Sequence, residues 1–240
     1  METINLQPIK ANLSADEKAN WEKTLATGVI AQNLIGNSIA VGGTVATIYA
    51  GHRVSFDTDH LLLNLKDDFD SVLDKLSAAT EWKTARLNRP VLILESINDC
   101  EVGFRQSRRV YPPIETVKVA TKFGDLVIPT LDEMIGMKAF LAYQRKPVRD
   151  FLDFAALTTC TNDAEVIDSL MKLDERYGEF QENSIRLEVA RNFASPNPID
   201  LEKVDLSHYK ALAAEWHDWK RTAEICRKFG IALGEKILEV

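Results

Sequence analysis

The stretch that decides the fold is "GGTVATIYAGHRVSFDTDHLLLNL", which runs from Gly42 to Leu65. It contains a glycine pair, then an apolar segment that can form a helix, and then Asp57 and Asp59 inside an otherwise apolar, strand-like run. Charged side chains are rarely buried unless something pairs with them. The two aspartates therefore call for a bound cation or a salt bridge.

Because residues i and i+2 of a strand point to the same face, Ser55, Asp57 and Asp59 are expected to project together. Two carboxylates this close repel each other unless a cation lies between them. Mg²⁺, with Mn²⁺ as a substitute, fits because it takes hard oxygen ligands and keeps positions open for substrate phosphates. The simpler alternative is that one aspartate caps a turn and the other pairs with Arg53.

The glycine pair upstream favours the metal. Gly42 and Gly43 end a predicted strand over 38–43, and a helix or helical turn is predicted over 44–51. Free backbone N–H groups and the helix dipole form an anion cradle at such a point. A phosphate cradle followed by two metal-binding carboxylates is the layout of a nucleotidyl-transfer site, where metal ions neutralise the triphosphate and align the attack.

This arrangement resembles the first motif of the polymerase-β-like nucleotidyltransferases, which has a strand, Gly-Gly or Gly-Ser, a helix, and Asp-x-Asp on the next strand. It is more similar still to the AbiEii/AbiGii-type toxin branch, whose motif reads roughly Gly-Gly-Thr and then Arg-x-Ser-x-Asp-x-Asp. The matching residues are Gly42, Gly43, Thr44, Arg53, Ser55, Asp57 and Asp59. The resemblance implies that the first five bind the nucleotide and that the two aspartates are catalytic and bind the metal. His52 is interpreted as a solvated turn histidine.

A second stretch, "EMIGMKAFLAYQRKPVRDFLDFAAL" over 133–157, resembles the second motif of the same branch, a helical Lys, an Arg, and Arg/Lys-Asp-x-x-Asp on the next helix. The matching residues are Lys138, Arg145, Arg149, Asp150 and Asp153. The aspartates share a helix face, where they could also simply cap the helix. A partly buried lysine on this apolar helix requires a phosphate or a carboxylate.

The resemblance implies that Lys138 is catalytic and contacts the triphosphate, that Asp150 binds nucleotide and that Asp153 supports catalysis. In that interpretation Lys138 has no obligate folding partner. The superfamily often adds a third carboxylate, for which Glu101 in "CEVGF" is preferred over Glu95 in "LES" as a metal ligand. Downstream arginines either bind phosphates or acceptor RNA, or blunt an edge strand. They are Arg105, Arg108 and Arg109.

The distribution of elements predicts an α+β fold in two parts. Residues 1–130 form a nucleotidyltransferase α/β core with an N-terminal helix, which opens at a Ser14–Glu17 capping box and carries Trp21, Leu25 and Ile30 towards the core. Residues 131–240 form a helical domain that contributes Lys138 and the two aspartates of the second motif to the cleft. A hairpin is predicted around 123–125. Helix breaks are predicted at 146–147, near 161–162, at 195–198 and at Gly230.

Charge and composition exclude several classes of protein. The net charge of −7 argues against a sequence-blind nucleic-acid-coating protein, which needs a basic face. No stretch has the apolar core of a secretory signal or the roughly 18 apolar residues of a membrane helix. The three cysteines form no CxxC pair. A cytoplasmic protein without a membrane partner is therefore expected.

The leading hypothesis is a Mg²⁺-dependent nucleotidyltransferase that moves a nucleoside monophosphate from an NTP to a tRNA end or a protein. The resemblance implies the toxin of a toxin–antitoxin or abortive-infection pair, with a cognate antitoxin as partner. The alternative is a nucleotide-binding module without turnover that signals to, or is held by, a protein partner. A metallohydrolase built on His52, the two aspartates and His60 is disfavoured, because His60 follows Asp59 directly and faces away from it.

Overall fold

The computed structural model describes residues 1–79, 82–109, 111–180, 183–209 and 211–239. The chain forms two compact units. The first unit comprises Met1–Pro8, Leu13–Ile48 and Val54–Thr130, and the second comprises Ile9–Asn12, Tyr49–Arg53 and Leu131–Val240. Within the described ranges, no helix combines the length and the apolar character needed to cross a bilayer.

The larger sheet of the first unit has five strands in the order β2-β3-β6-β5-β4. Its strands are β2 (Ile39–Val41), β3 (Asp57–Leu62), β4 (Trp82–Asn88), β5 (Leu92–Ile97) and β6 (Cys100–Gln106). Neighbouring strands are antiparallel except β3 and β6, which run parallel. The parallel pair in the middle of the sheet fixes which residues of β6 lie beside the two aspartates of β3.

A smaller sheet has the order β1-β7-β8. Its strands are β1 (Thr3–Asn5), β7 (Thr116–Thr121) and β8 (Gly124–Pro129). The antiparallel pairing of β7 and β8 confirms the hairpin predicted around residues 123–125. The three-residue strand β1 adds to this sheet parallel to β7.

Three helices belong wholly or mostly to the first unit, and the first and third of them pack on the larger sheet. They are α1 (Ala15–Ile35), α2 (Gly42–Ala50) and α3 (Leu65–Ser77). The capping box at Ser14 and Glu17 is present, and Trp21 and Leu25 are buried, as predicted. Ile30 is 38% exposed, so its predicted place in the core is wrong: the buried stripe of α1 passes through its neighbours Val29 and Ala31. Residues of α3, β5 and β6 complete this core.

The second unit is helical, as predicted. Its helices are α4 (Leu131–Arg145), α5 (Val148–Thr158), α6 (Asp163–Met171), α7 (Leu173–Tyr177), α8 (Ile185–Ala194) and α9 (Trp219–Leu238). The breaks at 146–147, 161–162 and 195–198 are confirmed. The break at Gly230 is wrong, because α9 continues through it. A Cβ there would lie 2.6 Å from the Ala194 nitrogen, so this glycine lets α9 approach α8 closely.

Candidate active site

Asp57 and Asp59 lie on one face of β3. Burial alternates along the strand, with both aspartates half-buried and Thr58 and His60 fully buried on the opposite face. His60 lies 3.1 Å from the Thr58 hydroxyl and stacks on Phe104. Burial lowers the pKa of His60 to about 3, so its ring is neutral. The histidine therefore belongs to the core of the sheet and does not face the aspartates.

The carboxylate of Asp59 lies between two glycines. Asp59 pairs with Gly103 of β6, and a Cβ on that glycine would lie 2.5 Å from Asp59 Oδ1. A Cβ on Gly42 would lie 3.2 Å from Asp59 Oδ2. Arg105 Nε donates to Asp59 Oδ1 at 3.1 Å. Both glycines leave the space that this carboxylate occupies.

Asp57 is held by two hydroxyl groups. The Ser55 hydroxyl donates to Asp57 Oδ1. The Thr44 hydroxyl donates to the backbone carbonyl of Asp57 at 2.5 Å, which ties the first turn of α2 to the start of β3. Both residues are predicted nucleotide ligands, and in the structure both bind Asp57.

Strand β2 ends where α2 begins, at the glycine pair. Gly42 has φ +83°, a backbone conformation that residues with a Cβ rarely adopt. Gly43 follows inside the first turn of the helix. The predicted strand–glycine–helix order is therefore confirmed, and it brings the N-terminus of α2 beside Asp59, which Gly42 contacts.

The two candidates for a third carboxylate lie on opposite faces of the sheet. Glu101 is the parallel partner of Asp57, so it shares the face of the aspartates, and it is exposed. Glu95 pairs with Val102, the partner of Thr58, so it lies on the other face, fully buried. Glu101 remains the predicted metal ligand.

The donor set at this face fits a magnesium ion. No group of three or more His, Cys, Asp and Glu side chains is arranged to hold a metal in the parts of the chain that the structure describes. Mg²⁺ does not need such a cage, because it is usually bound through one or two carboxylates together with substrate phosphates. Asp57 and Asp59 are two carboxylates on one face that would meet this requirement.

The three downstream arginines differ in their surroundings. Arg105 is nearly half-exposed and contacts Asp59, Arg108 is exposed, and Arg109 is buried. Strand β6, which carries Arg105, lies between β3 and β5. The interpretation that these charges blunt an edge strand is therefore wrong for Arg105.

The second motif forms a buried ion cluster within the helical unit. Lys138 of α4 is 4% exposed, and its Nζ lies 2.9 Å from Asp150 Oδ1 and 2.7 Å from Asp153 Oδ2. Arg145 Nη2 donates to the other oxygen of Asp150 at 3.0 Å. The expectation that Lys138 has no folding partner is wrong, since it has two buried carboxylates.

Asp153 accepts hydrogen bonds from three residues. Arg53 donates through Nε to Oδ1 at 2.8 Å and through Nη2 to Oδ2 at 2.9 Å. His52 Nε2 lies 2.9 Å from Oδ1, and Lys138 Nζ reaches Oδ2. Four N–H groups thus occupy the roughly four lone-pair sites of this carboxylate. His52 is fully buried, so its interpretation as a solvated turn residue is wrong.

The protonation states of the cluster follow from burial and neighbouring charges. Burial alone would raise the pKa of Asp153, but Arg53 and Lys138 outweigh it and hold that pKa well below its usual value. Burial opposes the charge of Lys138, yet the two carboxylates raise its pKa. Burial lowers the pKa of His52 despite its bond to Asp153. The histidine is therefore neutral, with the proton on Nε2, and Lys138 and Asp153 are charged.

Sequence reasoning did not find Gly103 or the contacts that Arg105 and His52 make in these sites. Gly103 had a recognisable signal, because a glycine inside a strand pattern often marks a close approach. The contact of Arg105 with Asp59 spans 46 residues, and the bond of His52 to Asp153 spans 101. No local pattern reveals pairs this far apart in the chain.

Two solved structures share this fold. MenT4, a nucleotidyltransferase toxin from Mycobacterium tuberculosis, is 15% identical with a TM-score of 0.60, and the alignment covers 92% of this chain and 86% of that one. A protein from H. pylori described as a nucleotidyltransferase is 14% identical with a TM-score of 0.53, over 95% of this chain and 98% of that one. No family model and no curated protein matches the sequence. The likeness confirms the α+β nucleotidyltransferase fold, and the AbiEii/AbiGii branch remains a prediction.

Proposed function

We propose that this protein is a metal-dependent nucleotidyltransferase that uses an NTP as donor. One observation carries the proposal: in a chain with the nucleotidyltransferase fold, Asp57 and Asp59 share a face of β3 beside the glycine-pair start of α2. Carboxylates in this arrangement bind Mg²⁺, and a helix N-terminus binds phosphate. The two features together suit a metal-bound nucleoside triphosphate.

The roles of the residues in the first unit follow from their contacts. Asp57 and Asp59 would hold Mg²⁺, and an ion bound there would offset the charge of the triphosphate and favour attack of the acceptor hydroxyl on the α-phosphorus. Gly43, in the first turn of α2, has no side chain that would stand between its backbone N–H and a phosphate. Ser55 and Thr44 orient Asp57 through their hydroxyl groups. In this proposal catalysis depends on positioning and on charge stabilisation, and no protein side chain acts as a nucleophile.

The roles in the second unit are of a different kind. Asp153 is engaged by four donors, which leaves it no lone pair for a metal ion or a substrate proton. We assign it a positioning role, because it fixes Arg53, which precedes Ser55 by two residues. The triphosphate contact of Lys138 and the nucleotide contact of Asp150 remain proposals that rest on the family resemblance.

The acceptor and the biological role are proposed by analogy. MenT4 is described as a nucleotidyltransferase toxin. We propose that this chain likewise transfers a nucleoside monophosphate to a tRNA end or a protein, acts as a toxin, and has a cognate antitoxin. Induced expression should then arrest growth, and Asp57→Asn should relieve the arrest at an equal protein level.

The direct test is product analysis. The protein is incubated with each α-labelled NTP, Mg²⁺, and either total tRNA or a protein lysate, and label transferred to either acceptor is measured. We expect transfer from at least one NTP, and its loss in Asp57→Asn and Asp59→Asn with the fold retained. Nucleotide binding without transfer to any acceptor would favour the binding-module alternative.

A further inference from the structure

Arg105 and Asp59 form an ion pair on the sheet face that carries the proposed metal site. Arg105 Nε donates to Asp59 Oδ1 at 3.1 Å. The arginine lies on β6 two residues after Gly103, the strand partner of Asp59. The guanidinium therefore occupies one side of the carboxylate that, in the proposed function, binds a divalent cation.

The space around Asp59 limits where that cation can bind. The flank of Oδ2 is bordered by Gly42, whose added Cβ would lie 3.2 Å from it, and Gly103 lies beneath Oδ1. Oδ1 also accepts the hydrogen bond from Arg105. A cation shared between Asp57 and Asp59 would approach from the sheet face that also carries Arg105, because alternate residues of paired strands share a face. Arg105 and the divalent cation would therefore compete for the same carboxylate.

The ion pair is weak enough to be exchanged. The side chains of Arg105 and Asp59 are 45% and 30% exposed, and a single Nε contact is not the bidentate geometry that makes arginine pairs strong. A long, flexible side chain at this exposure can move into solvent at little cost. A divalent cation has twice its charge and binds the oxygen directly.

We propose that Arg105 is the resident counter-ion of the metal site, which neutralises Asp59 in the metal-free protein and gives way to the divalent cation. This inference rests on the proposed function. It makes Arg105 a residue that sets the affinity of the site for metal: the arginine keeps the apo carboxylates from repelling each other and raises the metal concentration at which the site fills.

The test measures Mn²⁺ affinity, by calorimetry or by the free-ion electron spin resonance signal, without nucleotide. Arg105→Gln should bind Mn²⁺ about fivefold more tightly than wild type, which corresponds to losing one exposed ion pair. Arg105→Lys, which keeps the charge, should lie between them. Arg86→Gln is the matched control, since it removes an exposed arginine from the same sheet about three strand spacings, or roughly 14 Å, from Asp59. It should change affinity less than twofold.

Two outcomes separate this inference from the proposed function. If Asp57→Asn and Asp59→Asn bind Mn²⁺ as wild type does, no metal binds at these carboxylates, and the proposed function and this inference both fail. If those variants lose Mn²⁺ but Arg105→Gln binds it no more tightly than wild type, the metal site stands and only the counter-ion role of Arg105 is overturned. The rise in melting temperature on adding Mn²⁺ gives a second readout, and it should be larger for Arg105→Gln than for wild type.

Discussion

Asp59 can occupy its position because the residues on either side of its carboxylate lack a Cβ. The added Cβ of Gly103 would meet Asp59 Oδ1 at 2.5 Å, a distance that real contacts do not show, whereas that of Gly42 would meet Oδ2 at 3.2 Å. The atom that must yield at Gly103 is the end of a flexible side chain. A side chain placed in this space should therefore displace the Asp59 carboxylate rather than disrupt the fold.

Gly103→Ala should lose metal binding while the protein stays folded. The new methyl group displaces the Asp59 carboxylate from its place beside Asp57, and we expect Mn²⁺ affinity and transferase activity to fall at least about tenfold, with less than about 2 kcal/mol lost in stability. Calorimetric titration with Mn²⁺ and chemical denaturation measure the two effects. Gly178→Ala is the control, since an added Cβ there meets nothing within 4 Å. Undiminished Mn²⁺ binding in Gly103→Ala would show that the placement of Asp59 is not critical.

Lys138→Met should be strongly destabilising, since it leaves Asp150 and Asp153 buried without the ammonium between them. Breaking a buried ion pair from one side typically costs about 3–5 kcal/mol. The same measurement on Lys172→Met, whose exposed ammonium pairs with Asp132, should show less than about 1 kcal/mol.

A contact between Lys138 and the triphosphate requires a separate test. NTP binding should be measured at a temperature where Lys138→Met is still folded. Lost affinity there supports contact with the phosphates, and full affinity with lowered stability marks the lysine as structural. A double-mutant cycle with Asp150→Asn isolates the part of the stability that comes from this one pair.

At the scale of elements, the junction of β2 and α2 contains one glycine that the backbone requires and one that it does not. Gly42 has φ +83° and touches Asp59, so its requirement is conformational. Gly43 has helical geometry, in which alanine is more favourable than glycine. Nothing in the local backbone requires a glycine there, whereas a bound phosphate would.

Gly42→Ala and Gly43→Ala should therefore change the stability of the protein in opposite directions. Gly42→Ala should lose about 1–2 kcal/mol of stability, because a residue with a Cβ is strained at positive φ. Gly43→Ala should keep or gain up to about 1 kcal/mol and should weaken NTP binding in the presence of Mg²⁺. Denaturation and nucleotide titration of both variants provide the comparison. If Gly43→Ala bound NTP as tightly as wild type, the phosphate cradle would have to be abandoned.

The elements that the sequence predicted correctly are those with a strong local pattern. Strand β3, the β7–β8 hairpin and the start of α1 each carry alternation, turn residues or a capping box, and these act over a few residues. Strand β4 has no such pattern, because apolar and polar residues do not alternate regularly in "WKTARLN", and the strand is held by pairing with β5. The break at Gly230 was predicted wrongly because helix propensity was outweighed by the close packing of α8 on α9.

In the candidate sites, too, only features that are determined by neighbouring residues could be predicted. The Asp-x-Asp face and the glycine pair could be predicted, since each is set by neighbouring residues. The partners of Lys138 within one helical hairpin could also have been anticipated, because a buried ammonium needs carboxylates and Asp150 lies only 12 residues away. The burial of His52 could not, because its partner Asp153 is distant in the sequence and the segment 49–53 folds with the helical unit.

At the scale of the whole molecule, each unit contains a buried neutral histidine. His60 in the first unit has a pKa of about 3 and His52 in the second has a lowered pKa, both because burial disfavours the charged ring. The unfolded chain binds protons at these histidines near pH 6.5, while in the folded chain protonation shifts to lower pH, for His60 to about pH 3. In this window the unfolded state holds more protons, so stability must fall as the pH falls.

We therefore expect wild-type stability to decline between pH 7 and pH 5, with His60 alone contributing about 2 kcal/mol of that loss. His60→Gln keeps a polar group for Thr58 while removing the titration, so its stability at pH 7 should be lower but should fall less steeply with pH. Chemical denaturation at both pH values measures the difference in slope. Asp153 adds no loss in this range: its pKa is lowered, so the stability it supplies is complete above about pH 4 and declines only below that. An NMR titration of His60 that showed protonation near pH 6 in the folded protein would contradict this account.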